Sequence, residues 1–153
     1  MNPQLQSVLQ QAIQAYQDGN LTKAEELLKY FVKINSTEFT ALHLLAVVYA
    51  GLNRHDIAVG WYKKALTVFP NDALALSNYA SSLTALGNAH EALNIFRRVL
   101  EIDANDPVFY YNIANTLCEL GRHEEALSYY EQSIKLDPQY FQAHNNYGKA
   151  LYD

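Results

Sequence analysis

Three asparagines, Asn78, Asn112 and Asn146, stand 34 residues apart in a chain of 153 residues. Asn is a poor helix former. Its carboxamide carries both a donor and an acceptor, the pair needed to meet the N–H and C=O of an extended polypeptide without reading its side chains. Other residue types that carry chemistry do not assemble in the same way. The histidines His43, His55, His90, His123 and His144 are scattered and form no His-Glu-x-x-His pair or other ligand spacing on one helix face, so they read as surface or turn residues and no metal is expected. No Gly-rich phosphate loop and no nucleophile elbow occurs, so no cofactor and no catalytic residue is expected. Cys118 stands alone, which excludes an internal disulfide and reads as a small semi-apolar helix residue. The expectation is a binding module and not an enzyme.

The elements that must position the asparagines follow from an internal period. Ala12, Ala46, Ala80, Ala114 and Gly148 recur every 34 residues, and Ala24, Ala58, Ala92 and Ala126 run in step with them. Leu28, Tyr62, Phe96 and Tyr130 supply one large residue per period; Val32, Leu66, Leu100 and Ile134 supply another. Gly19, Asn53, Gly87 and Gly121 divide each unit where a helix ends in a left-handed residue. Between units, Phe69-Pro70-Asn71-Asp72, Asp103-Ala104-Asn105-Asp106-Pro107 and Asp137-Pro138 read as turns, with Asp106 a helix cap and Pro107 the first helical residue. Acids come early in the second helices (Glu25, Asp56, Glu91, Glu124) and bases late (Lys33, Lys64, Arg98, Lys135), as the helix dipole favours. The spacing predicts an all-α chain of nine helices, with units at 5–38, 39–72, 73–106 and 107–140 and a single helix from 141 to 153.

This wording strongly resembles the tetratricopeptide repeat family. The fourth unit carries its signature as Tyr110, Ile113-Ala114, Leu117, Gly121, Ala126, Tyr130, Ser133 and Pro138. Gln11 stands where Leu is expected, and Ser36 and Ala104 where Pro is expected. The resemblance covers residues 5 to 153 and implies a right-handed α-solenoid of antiparallel helix pairs in a single domain. Close approach of the paired helices at the Ala and Gly positions, and burial between stacked pairs, give the same answer physically. The stretch Ala143-His144-Asn145-Asn146-Tyr147-Gly148 further resembles the repeats of O-linked N-acetylglucosamine transferases, whose superhelix is lined by an asparagine ladder.

At about 100° per residue, unit positions 4, 7, 8 and 11 of each first helix face the second helix, while positions 2, 5, 6, 9, 12 and 13 lie opposite. The second set is the inner concave wall that the resemblance implies. Its C-terminal half is neutral and polar and supplies the candidate peptide-binding residues: Asn78, Asn112 and Asn146, with Ser77, Ser81, Tyr111, Asn115 and Asn145. Its N-terminal half is apolar, with Leu9, Ile13, Leu44 and Val47. The leading expectation is capture of extended polypeptide, as the recognition or scaffold arm of a larger protein. The alternative is a free-standing adaptor or chaperone whose apolar wall takes a helical or hydrophobic segment. Family members that hold acidic chaperone tails clamp them with Lys and Arg, and these wall positions carry only Lys149.

Composition narrows the partners. Half of the residues are apolar and 18% are charged, the balance of an ordinary globular chain. Eleven Lys and Arg against 16 Asp and Glu leave a net charge of −5 and no basic field for a phosphate backbone, so the partner is a protein or peptide and not a nucleic acid. No window approaches about 18 uninterrupted apolar residues, and Met1-Asn2-Pro3-Gln4 does not open a secretory leader, so a cytoplasmic protein without membrane spans is expected. Asn35-Ser36-Thr37 then reads as a turn rather than a glycan acceptor. The last helix keeps Tyr147, Gly148 and Leu151 at packing positions with no second helix to follow. That predicts a fragment of a longer protein, and a homo-oligomer formed through the uncovered C-terminal helix.

Overall fold

A computed structural model describes residues 2–152. Met1 and Asp153, on which the readings of the chain ends turn, lie outside the described residues. Among the described residues there are nine helices and no strand: α1 (Pro3–Gln17), α2 (Leu21–Ile34), α3 (Phe39–Gly51), α4 (His55–Val68), α5 (Ala73–Ala85), α6 (Ala89–Ile102), α7 (Pro107–Glu119), α8 (His123–Leu136) and α9 (Phe141–Ala150). Odd-numbered helices are the first of each pair. From α3 onward they start at the first residue of a predicted unit; α1 starts two residues early. There, Asn2 Oδ1 accepts from Gln4 N at 2.9 Å and Pro3, which has no N–H to orphan, takes the first helical position.

The turn chemistry follows the expected rules. Gly19, Asn53, Gly87 and Gly121 all have positive φ, and Asn53, at 58°, is the one non-glycine residue to do so among the described residues. Carboxylates cap three first helices: Glu38 Oε2 accepts from Ala41 N at 2.6 Å, Asp72 Oδ1 from Ala75 N at 2.7 Å, and Asp106 Oδ1 from Val108 N at 2.8 Å. The fourth unit places Tyr140 at that point, and α9 starts without a side-chain cap.

The described residues form two compact units, one ending at Ser82 and one beginning at Leu83. In the N-terminal unit α1 pairs with α2 and α3 with α4, and α3 also touches α1 and α2. This encirclement explains why α3 is apolar on nearly every side, with Ala41, Leu42, Leu45, Ala46, Val48 and Tyr49 all buried. In the C-terminal unit α7 pairs with α8, and α9 packs on both. Ser133 Oγ, fully buried, donates to the Pro107 carbonyl at 2.7 Å and ties α8 to the start of α7.

The first helices bury more than one stripe. Of the positions expected to face the second helix, 7, 8 and 11 are buried in α3, α5 and α7, whereas position 4 is buried as Leu42 and Leu76 but half-buried or exposed as Val8, Tyr110 and His144. Positions 3 and 10 are buried as well, as Ala41 and Val48, Ala75 and Ser82, Phe109 and Thr116, and Ala143 and Ala150. A single helix pair does not call for this second stripe; contact between successive first helices, as between α1 and α3 and between α7 and α9, does.

Candidate functional site

In the N-terminal unit the first-helix wall opens into a cavity of about 410 Å³. Tyr16, Val47, Ala50, Asn78 and Ser81 line it, with the more buried Tyr62 and Ser82 behind them. Asn78 is held in place here: its Nδ2 donates to Nε2 of His43 at 3.2 Å. Burial lowers the pKa of His43, against a smaller opposing effect of Asp72, which favours the neutral ring that can accept this bond. The side-chain oxygen of Asn78, Oδ1, has no hydrogen-bond partner among the described residues. His55 Nδ1 lies 3.3 Å from Ser82 Oγ, and burial pushes the Tyr62 phenol well above the ordinary tyrosine range. His43, His55 and His123 therefore are not the surface or turn residues that the sequence suggested: all three are half-buried, and the first two support wall side chains.

In the C-terminal unit the wall is a connected polar network. Asn115 Oδ1 accepts from Tyr130 Oη at 2.7 Å and from Asn146 Nδ2 at 2.9 Å, and the same Asn146 nitrogen lies 3.2 Å from Tyr111 Oη. Asn145 Nδ2 donates to Asn146 Oδ1 across a long 3.5 Å. Tyr130 Oη also meets Cys118 Sγ at 3.7 Å, and burial above all raises its pKa. The Asn115 Nδ2 donors have no partner among the described residues. Thr116 Oγ1 donates to the Asn112 carbonyl at 2.8 Å and lies 3.0 Å from Thr84 Oγ1.

Of the eight candidate residues, Asn78 and Ser81 line the N-terminal cavity, and Tyr111, Asn115, Asn145 and Asn146 share the C-terminal network. Asn112 is half-buried on α7. Ser77 departs from expectation: it is 1% exposed, and its carbonyl accepts from Ser81 Oγ. Leu9, at the same unit position, is buried too, whereas the longer His43 and Tyr111 are half-buried. That row lies deep enough that only long side chains reach the open face. Leu9 is correspondingly removed from the apolar wall that the alternative reading needs.

Several contributors were not singled out from the sequence. Tyr62 and Tyr130 supply the large residue of their periods and their rings are buried, yet their hydroxyls end at the wall. The available signal was that a phenol at a buried repeat position needs a polar partner. Tyr140 went unnoticed because it sits in a turn; its ring stands 5.1 Å from that of Tyr111.

No group of three or more His, Cys, Asp or Glu that could hold a metal occurs among the described residues, and no helix there is long and apolar enough to cross a membrane. No curated protein sequence matches the chain. Among solved structures, the chain is similar to MamA from Desulfovibrio magneticus RS-1, at 19% identity over 98% of this chain and 85% of that one, with a TM-score of 0.84. It is similar to PilF of Pseudomonas aeruginosa at 22% identity over 97% of this chain and 68% of that one, with a TM-score of 0.83. It also resembles YrrB, described as a TPR protein with an unusual peptide-binding site, at 20% identity over 88% of this chain and 70% of that one, with a TM-score of 0.78. At such identities these likenesses establish the fold, and the sequence establishes the family: residues 9–73 and 71–139 both match tetratricopeptide repeats. With helix pairs at a fixed period and those matches over most of its length, the chain belongs to the tetratricopeptide repeat family and is a protein-interaction module.

Proposed function

We propose that this chain binds extended polypeptide along the wall of its first helices, with Asn78, Asn112 and Asn146 meeting the peptide backbone and Ser81, Tyr111, Asn115 and Asn145 adding polar contacts. The observation that carries the reading is that Asn78 and Asn146 are oriented by internal hydrogen bonds through Nδ2, while Asn78 Oδ1 and Asn115 Nδ2 keep bonding capacity to offer a ligand. Ser77 is too deeply placed to take part directly. The neighbour described as having a peptide-binding site supports the class of ligand. Within the C-terminal unit, neighbouring first helices pack roughly 10 Å apart and an extended chain advances about 3.3 Å per residue, so the amides of Asn112 and Asn146 meet about every third peptide residue. Each net hydrogen bond contributes about 0.5–1.5 kcal/mol, which makes affinity modest and tolerant of sequence. The asparagine row likens these repeats to those of O-linked N-acetylglucosamine transferases, as a recognition or scaffold arm without catalysis of its own, working in the reducing cytoplasm that the lone Cys118 suits. The test is fluorescence anisotropy with a panel of extended peptides of unrelated sequence. Replacing Asn78, Asn112 and Asn146 together by Ala is expected to keep the helical circular-dichroism signal and weaken all of the peptides by a similar factor. Equal binding by wild type and variant sinks the reading.

We further propose that a second copy of the chain covers α9. Leu151 is 54% exposed, while Leu83 and Leu117, at the same unit position, are 4% and 2% exposed. The small Gly148 at the centre of that strip lets an identical helix approach closely about a two-fold axis. Sedimentation equilibrium is expected to show a concentration-dependent dimer that Leu151→Glu abolishes; a strict monomer at high concentration refutes it.

A further inference from the structure

Resting on the groove reading, we propose that Tyr111 and Tyr140, with Asp106 and Asp137, form a subsite for a cationic side chain, an arginine or lysine of the bound polypeptide. The Tyr111 and Tyr140 rings stand 5.1 Å apart at 58°, and Tyr130 extends the aromatic surface 6.2 Å from Tyr111 at 54°. Two inclined ring faces meeting this closely give a cation two negative π-surfaces at once. Asp106 caps the start of α7 and Asp137 the turn that leads into α9: Asp106 Oδ1 holds Val108 N at 2.8 Å, and Asp137 Oδ1 holds Gln139 N at 2.9 Å. These caps fix the carboxylates in place and leave each its second oxygen. Both carboxylates act electrostatically on Tyr140: burial first, then Tyr111, Asp106 and Asp137 push its phenol up to about 12. Neither Asp forms an ion pair among the described residues. Lys149, the cation of the predicted wall, belongs to the Asn115 row one helical turn further along and pairs with neither.

Three features make the match specific. The carboxylates are fixed by the backbone rather than by a counter-ion, the rings are partly desolvated, and the net charge of −5 draws cationic partners in from a distance. The N-terminal unit lacks an equivalent: there His43 occupies the place of Tyr111, with Phe39 5.5 Å away, and Asp72 occupies that of Tyr140. Preference for a basic residue is therefore local to the C-terminal unit, and it sets the register of an otherwise sequence-tolerant peptide.

The test uses the whole chain and two probes, Nα-acetyl-argininamide and its neutral ureido isostere Nα-acetyl-citrullinamide, followed by NMR on the tyrosine ring signals. The arginine probe is expected to shift Tyr111 and Tyr140 saturably and to bind roughly three- to tenfold more tightly than the citrulline probe, with the difference shrinking as salt rises. Asp106→Asn with Asp137→Asn keeps both caps, since Asn caps as well as Asp, and is expected to erase the difference. Equal binding of the two probes, the absence of a saturable shift at either ring, or an unchanged preference in the double variant overturns the proposal. The same pair of residues placed inside an extended peptide separates it from the groove reading. Peptides that bind without preferring arginine over citrulline sink the subsite and leave the groove; an arginine probe that binds where no peptide does leaves the subsite and sinks the groove.

Discussion

The phenol of Tyr130 donates to the side-chain oxygen of Asn115 at 2.7 Å, so the second helix of the fourth repeat holds a side chain of its own first helix from below. Asn115 in turn accepts Asn146 from the following helix. One core residue thus fixes the orientation of two amides on the wall.

Removing that hydroxyl tests the linkage. Tyr130→Phe keeps the buried ring and is expected to destabilise the chain by about 0.5–1.5 kcal/mol, read as a lower urea midpoint with an unchanged slope. Asn115→Ala alone should cost a similar amount, and the double variant less than the sum, because the two changes delete one bond. Strict additivity refutes the linkage.

Alkaline pH should loosen the fold. Burial raises the pKa of Tyr62 and Tyr130 and, with neighbouring groups, that of Tyr140 to about 12. An unfolded chain releases these protons near pH 10, whereas the folded chain keeps them, so the folded state binds more protons above that point and stability falls as pH rises from there. Below about pH 10 this contribution is fully present. Absorbance at 295 nm during an alkaline titration should show Tyr62, Tyr130 and Tyr140 among the late-ionising tyrosines, in step with unfolding; all twelve titrating together would contradict the buried placements.

The contact of His55 is missing two repeats further on. His55 Nδ1 meets the Ser82 hydroxyl, but His123, one double repeat later, has a buried Nδ1 with no partner, because Ala150 stands where Ser82 does. His123 and Ala150 line the same opening between α8 and α9. Ala150→Ser is therefore expected to stabilise by up to about 1 kcal/mol, and Ser82→Ala to destabilise by about the same. Thermal melts of the two variants should move in opposite directions.

Two glycines should respond with opposite signs. Gly60 lies within α4 with nothing near an added Cβ, so Gly60→Ala is expected to add about 0.5–1 kcal/mol. Gly87 has equal space but a φ of +81°, so Gly87→Ala should cost about 1 kcal/mol or more. Chemical denaturation of each variant separates backbone conformation from packing.

The wall should also refuse one kind of ligand. With Lys149 as the single cation among its predicted positions, it offers no set of ammonium or guanidinium groups to clamp a carboxylate-rich tail. Calorimetry with such an acidic peptide is expected to show no tight, salt-sensitive binding.

The linear sequence determined the number of helices, the starts of α3, α5, α7 and α9 and the turn chemistry, because those depend on local residue type: a left-handed residue at Asn53, a capping carboxylate at Asp106, a small residue at Ala114. It also placed Asn78, Asn112 and Asn146 on one side of their helices, since a helical period is a local property. Depth and pairing were decided only by tertiary structure. Ser77 and Tyr111 share a unit position, yet one is buried and the other reaches the wall, because exposure depends on side-chain length against neighbours that no period describes. The bonds from Asn78 to His43, from Asn115 to Tyr130 and from Asn146 to Tyr111 join residues 35, 15 and 35 positions apart. Which amide faces inward and which atom stays open toward a ligand follows from packing one helix against the next, and that appears in the sequence only as the spacing that makes the packing possible.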